Sequence, residues 1–186
     1  MTNLTQALAA IDAANAADPT LEDGQPAALL YGQRMSAELG TLFPDASDVL
    51  QIACRGQHIE RWLLPRKEYP EGKAGYYAWR QEQGRRHGAR VAGIMGEAGY
   101  SQEDQERAGS MLRKEGIKKD AEVQAFEDVI CFTFVRWYLK PFAGTRTPED
   151  LVKIVAKTAR KMSADGRAKA LAEFEMPDEL AAAFKI

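Results

Sequence analysis

Apolar residues recur at three- and four-residue spacing along most of the chain, and no stretch alternates apolar with polar long enough to read as a strand. The pattern predicts helices almost throughout. A first helix starts at Thr2 or Thr5 and runs to Ala17, where Asp18-Pro19 ends it, because proline disfavours helical backbone in the residue before it. Residues 20–25 read as a loop. Pro26 suits a first helical turn and opens a second helix to about Leu39, broken at Phe43-Pro44. A third helix spans about 46–63, with Asp45 or Ser47 as its cap and Pro65 as its stop.

The second half reads in the same way. After the loop 66–73, a fourth helix covers about 74–98 and stops at Gly99. Ser101 followed by Gln102-Glu103-Asp104 opens a fifth helix, closed by Gly116. A sixth spans 120–142. Thr147-Pro148-Glu149-Asp150 combines a cap, a first-turn proline and an acid, and opens a seventh to about Met162. Short helices come last, at 166–173 and 178–184. The fold class is all-α: one domain over 1–186, with about six main helices and short C-terminal ones at 147–186.

Composition narrows the function without choosing it. Of 186 residues, 45% are apolar and 28% charged, as in an ordinary globular domain. The net charge of −2 gives no overall basic excess, so nucleic acid ranks behind a small ligand as a partner. Cys54 and Cys131 make no disulfide framework and no Cys-x-x-Cys pair. The first residues lack the basic and apolar segments of a signal peptide. The apolar run 129–139 is too short to cross a bilayer. A cytoplasmic protein with no membrane partner is the expectation.

Only two histidines are present, His58 and His87. Helical periodicity sets His58 away from the apolar stripe of the third helix, either stacked on Trp62 at the surface or serving a cleft as ligand or acid-base group. His87 lies among Arg85, Arg86 and Arg90, and on residues alone it reads as solvated, although Val91 and Ile94 fall on its side of the helix. On the sixth helix Asp128 stands at the lip of an apolar run, where an ionised carboxylate is costly unless it pairs with an arginine or binds a metal. Glu127 points about 100 degrees away from it. Between the histidines lies a basic and aromatic stretch: Arg61, Trp62, Arg66, Lys67, Tyr69, Lys73, Tyr76, Tyr77, Trp79 and Arg80. Such a set suits an anionic or phosphorylated ligand, or braces a loop by cation–π contacts. Lys153, Lys157 and Arg160 share a face of the seventh helix, a solvated face with RNA contact as the minority reading.

The order of these segments resembles the HD-domain superfamily. Residues 31–39 resemble its opening helix, 50–59 the helix that ends in the His-Asp pair, 87–95 the next helix, and Phe126-Glu127-Asp128 the late helix whose aspartate completes the metal site. The chain also resembles the domain of unknown function 4202 family nearly end to end, through segments such as 11–15, 30–35, Gln57-His58-Ile59-Glu60-Arg61-Trp62, Pro65-Arg66, Gly75-Tyr76 and Lys157-Thr158. The HD resemblance implies a helical core over about 26–142 and one cleft lined by His58, His87 and Asp128. Tyr31 and Ile59 stand where two of its usual ligands belong.

The resemblance implies a metal-dependent hydrolase for a small phosphorylated or nucleotide-like substrate. His58, His87 and Asp128 would hold a divalent ion (manganese, iron, cobalt, nickel or zinc), which lowers the pKa of a bound water. Tyr31, Arg34, Arg61, Arg66, Lys67 and Arg80 would bind the substrate, and Glu60 or Glu127 would relay a proton. The alternative is a degenerate HD-like module that binds an anion or a protein partner without chemistry. A metal oxygenase is a weaker third, and a homodimer is compatible with each.

Overall fold

Short polar side chains start the helices, and the one capped by Ser163 begins at Ala164, ahead of the 166 read from the sequence. In the computed structural model, which describes residues 2–186, Thr2, Ser47, Ser101, Thr147 and Ser163 each accept a hydrogen bond from a backbone N–H in the next turn. Asp120 accepts two, from Glu122 and Val123. Each bond satisfies a donor that the helix itself leaves open.

Two compact units make up the chain, one through Glu115 and one over Gly116–Ile186. The boundary falls inside the 26–142 core read from the sequence. The first unit holds α1 (Asn3–Asn15), a small hairpin of β1 (Leu21–Glu22) and β2 (Gln25–Pro26), α2 (Ala27–Leu42), α3 (Asp48–Arg55), α4 (Gly72–Glu97) and α5 (Gln102–Leu112). Ile11, Met35, Ile52, Val91, Met95 and Met111 fill its core. The second unit holds α6 (Ala121–Thr133), α7 (Leu139–Ala143), α8 (Pro148–Lys161), α9 (Ala164–Glu173) and α10 (Asp178–Ala181). Its core includes Phe132, Val155, Met162 and Phe184. No described helix is long and apolar enough to cross a membrane.

Three local differences from the periodicity matter. Residues 20–25 are not a plain loop: Glu22 pairs with Gln25 across Asp23-Gly24, both with positive φ, as a two-residue hairpin turn requires. The third helix stops at Arg55, eight residues early. Gly56 comes next because a Cβ there would lie 2.5 Å from Val91 Cγ2, so α4 packs against the point where α3 ends. The sixth helix is broken by a π-helical turn at Phe134–Tyr138 before α7. A π turn inserts one residue into the hydrogen-bond ladder and rotates the helix beyond it.

The end of α3 is fixed from the first helices. Arg55 grips both oxygens of Asp12 at 2.6 Å and donates to Ser36 Oγ at 3.1 Å, tying α1, α2 and α3 together. Gly32 permits the contact between α2 and α3, since a Cβ there would meet the Arg55 carbonyl at 2.7 Å. That approach brings Tyr31 to the chain leaving α3.

Candidate functional site

The residues leaving α3, 56–60, form the centre of the site. His58 is not helical: it lies in this turn, half-buried, and Tyr31 stacks on it with 3.7 Å between ring centroids. Tyr31, not Trp62, is its stacking partner. Glu60 has φ of 50°, left-handed backbone that a residue with a side chain rarely adopts. Asn15 holds it there. Its buried side-chain oxygen accepts from the Glu60 N–H at 3.0 Å. The Glu60 carboxylate pairs with Arg90 at 3.1 Å.

α4 closes the site from the other side. Trp79 Nε1 donates to the Leu64 carbonyl at 2.9 Å, and Gln83 Nε2 donates to the carbonyls of Arg61 and Leu64. Two side chains of one helix thus fix the turn of Arg61–Leu63. The Arg61 guanidinium lies over the Trp79 ring, 4.6 Å from its centroid. One turn beyond Gln83 comes His87. It is buried, contrary to the solvated reading, and its ring centroid is 6.4 Å from that of His58. The flanking arginines are drawn outward, Arg85 and Arg86 to Glu82 and Arg90 to Glu60, which leaves the histidine on the inward face. His87 also lines a concavity of about 500 Å3 with Leu63, Leu64, Gln83 and Arg90.

The electrostatics are those of a cationic pocket with neutral histidines. Burial lowers the His58 pKa well below the usual value, and Arg61, His87, Arg80 and Lys114 push it the same way. Burial and then Arg61 lower His87 to about 3, against a hydrogen bond to the Gln57 backbone that raises it. Arg61 itself is lowered to about 10 by burial and by Arg80, while Tyr31 and Tyr76 act to raise it. Removing an ion from water is costly unless a counter-charge is present. Among the described residues, neither Arg61 nor Arg80 has a carboxylate partner.

Over residues 5–183 the chain matches one family, Domain of unknown function (DUF4202). It belongs to the DUF4202 family. No curated protein and no solved structure matches it.

Within the first unit, this DUF4202 chain brings together Tyr31, His58, Arg61, Arg80 and His87. The other residues singled out in the sequence are engaged elsewhere. Arg34 pairs with Glu22 and with Asp23, the latter at 2.7 Å. Arg66 donates to the carbonyls of Tyr69 and Pro70 at 2.8 Å and so closes its own loop, in which Lys67 is exposed. In the second unit Glu127 is buried and Lys161 lies 3.5 Å from it. Asp128 is also buried and meets neither arginine nor lysine. Its oxygens accept from Ser163 N at 2.8 Å, Ser163 Oγ at 2.5 Å and Gln124 Nε2 at 3.1 Å, so it secures the start of α9.

A catalytic zinc or non-haem iron ion takes three protein ligands from imidazole, thiolate or carboxylate. Glu60 lines the concavity with His87, but its carboxylate is paired with Arg90, and no group of three such residues fit to hold a metal occurs among the described residues. The donor set in the first unit is thus two imidazoles. Sequence reasoning missed Asn15, Gln57 and Gln83. Their signal was weak: polar residues at positions whose periodicity places them inside.

Proposed function

We propose that the first unit is an HD-like helical scaffold that binds a small phosphorylated molecule on Arg61 and Arg80, beside the neutral rings of His58 and His87. The observation that carries this reading is the half-buried Arg61 next to Arg80, with no carboxylate on either. Two guanidinium groups that repel each other favour an anion between them, and a phosphate accepts their N–H groups in charge-assisted bonds. Tyr76 flanks Arg61, and Trp79 carries it, so the walls are aromatic. The HD-like part of the reading rests on Tyr31, His58 and His87. The resemblance lines one cleft with His58, His87 and Asp128 and sets Tyr31 at a ligand position; of these, Tyr31, His58 and His87 are neighbours here.

Metal-dependent hydrolysis is the second reading, favoured by the buried Nε2 of His87, which has no hydrogen-bond partner. The binding reading goes further because each arginine it uses needs a counter-charge, whereas two imidazoles leave a metal short of ligands.

Thermal unfolding with pyrophosphate, in the presence of a chelator, tests both. The expected result is a rise in Tm that persists in chelator, since a ligand that binds only the folded state stabilises it. Arg61→Gln and Arg80→Gln should each weaken that binding about tenfold or more, the scale of a lost charged hydrogen bond. A shift that vanishes with chelator would move the assignment to the metal reading. No shift at any concentration would overturn both.

A further inference from the structure

Two buried side-chain atoms of the first unit, on residues linked by a backbone hydrogen bond, are themselves unsatisfied. His87 Nε2 and Gln57 Oε1 have no partner, although His87 exposes 5% and Gln57 8% of its surface. His87 donates to the Gln57 backbone carbonyl, and with Nε2 unpartnered the donor is Nδ1. That bond sets the tautomer: Nδ1 carries the hydrogen and Nε2 presents a lone pair. Burial and the neighbouring arginines keep the ring neutral, so Nε2 stays an acceptor through the physiological range. Buried polar atoms in folded proteins are almost always paired, and an open one asks what pairs with it.

Neither atom finds a donor within the fold. Of the cations lining the concavity beside His87, Arg85 and Arg86 are held by Glu82 and Arg90 by Glu60. Gln83, the nearest amide on α4, spends its Nε2 on the carbonyls of Arg61 and Leu64. The site therefore offers two different demands. Arg61 and Arg80 call for an anion, whereas His87 Nε2 and Gln57 Oε1 call for O–H or N–H donors. A fully ionised phosphoryl group meets only the first.

We infer that the ligand is a hydroxylated phosphate ester, and that His87 is the residue that selects it by accepting a hydrogen bond from one of its hydroxyls at Nε2. This rests on the anion-binding reading and adds the organic part of the ligand to it. A site whose buried acceptors need hydroxyl donors rejects an analogue that lacks them, because the acceptors are then left unpaired.

Calorimetric titration of the full chain with three probes tests the inference: ribose 5-phosphate, n-pentyl phosphate and pyrophosphate. The first two share a phosphate and five carbons and differ in their hydroxyls. The expected result is at least tenfold tighter binding of ribose 5-phosphate than of n-pentyl phosphate. His87→Leu should remove that preference while leaving n-pentyl phosphate affinity within about twofold. Should His87→Leu fail to fold, Gln57→Leu serves as the second variant: it removes the second acceptor and keeps His87 Nε2, so the preference should fall about threefold or more without being lost, and an unchanged preference would overturn the inference. Equal affinity of the wild type for the two esters, with pyrophosphate still bound, overturns the inference and leaves the anion site standing. Failure of all three to bind overturns the anion site and the inference with it.

Discussion

Tyr31 and His58 stack face to face, with 3.7 Å between ring centroids and 22° between planes. The phenol ring shields an imidazole that burial and three nearby cations already hold neutral. Replacing Tyr31 with Ala should admit water and raise the His58 pKa toward its usual value. Titration of the two histidine ring signals by NMR would show it. An unmoved His58 signal would mean that the stack contributes nothing to the electrostatics of the site.

Stability should fall on mild acidification. His87 keeps its proton off until about pH 3, whereas the unfolded chain takes one near 6.5. Below 6.5 the unfolded state therefore binds more protons, so stability is complete above that pH and is lost as pH drops toward 3. The slope is at most about 1.4 kcal/mol per pH unit for each such histidine. Urea unfolding at pH 7 and pH 5 measures it, and His87→Leu should reduce the difference by that histidine's share, with the share of His58 remaining.

Asn15 shapes the turn from 45 residues away. Asn15→Ala would leave the half-buried Glu60 N–H without its side-chain acceptor, at a cost of about 1 kcal/mol. With the left-handed residue released, pyrophosphate affinity should fall as well, although Asn15 carries no charge to lose. A stability loss with unchanged affinity would show that the turn keeps its shape without the bond.

Asp128 gives the opposite signature. Asp128→Ala removes two hydrogen bonds from Ser163 at the start of α9 and one from Gln124 on α6, and an outcome of about 2 kcal/mol or more of lost stability is expected from chemical denaturation. Ser163→Ala in that background should cost less than it does alone, since the Oγ–Asp128 bond is already lost and only the cap to the Gly166 N–H remains to break. Pyrophosphate binding by the folded fraction should stay near wild type.

Gly75 is required by Pro70. A Cβ at position 75 would lie 1.9 Å from the Pro70 carbonyl oxygen, so backbone must move. Gly75→Ala should cost about 1–3 kcal/mol and loosen the loop before α4. Limited proteolysis would register the loosening as new cleavage between Arg66 and Lys73.

The helical class and most helix starts were legible because capping chemistry is local: Ser101, Asp120 and Thr147 act within a few residues of themselves. The end of α3 was not. Ile59 continues the apolar spacing past Gly56 and is buried, but in a turn rather than a helix. Periodicity records burial and does not record backbone conformation. The hairpin was present as Asp23-Gly24, a strong turn signal without apolar strands around it. His87 was misread because its arginine neighbours dominate the local sequence, and only their partners, Glu82 and Glu60, reveal which way they point. Asp128 read correctly as a carboxylate that burial would penalise. Its partner, Ser163, lies 35 residues on and has no charge to announce it.

The helix that carries Trp79, Arg80, Gln83 and His87 is a poor helix in isolation. Six of the 26 residues of α4 are glycine, each costing about 1 kcal/mol of intrinsic propensity relative to alanine. Some of those glycines are the points of close approach: a Cβ at Gly88 would sit 3.1 Å from the Gly109 carbonyl, and one at Gly84 3.2 Å from that of Leu112. The bareness that weakens the helix alone is what lets α5 come near. Docking and helix formation are thus one event, and amide hydrogens from Trp79 to His87 should exchange only through opening of the whole first unit. The cationic pocket has no partly formed version: it is lost and regained together with the fold that surrounds it.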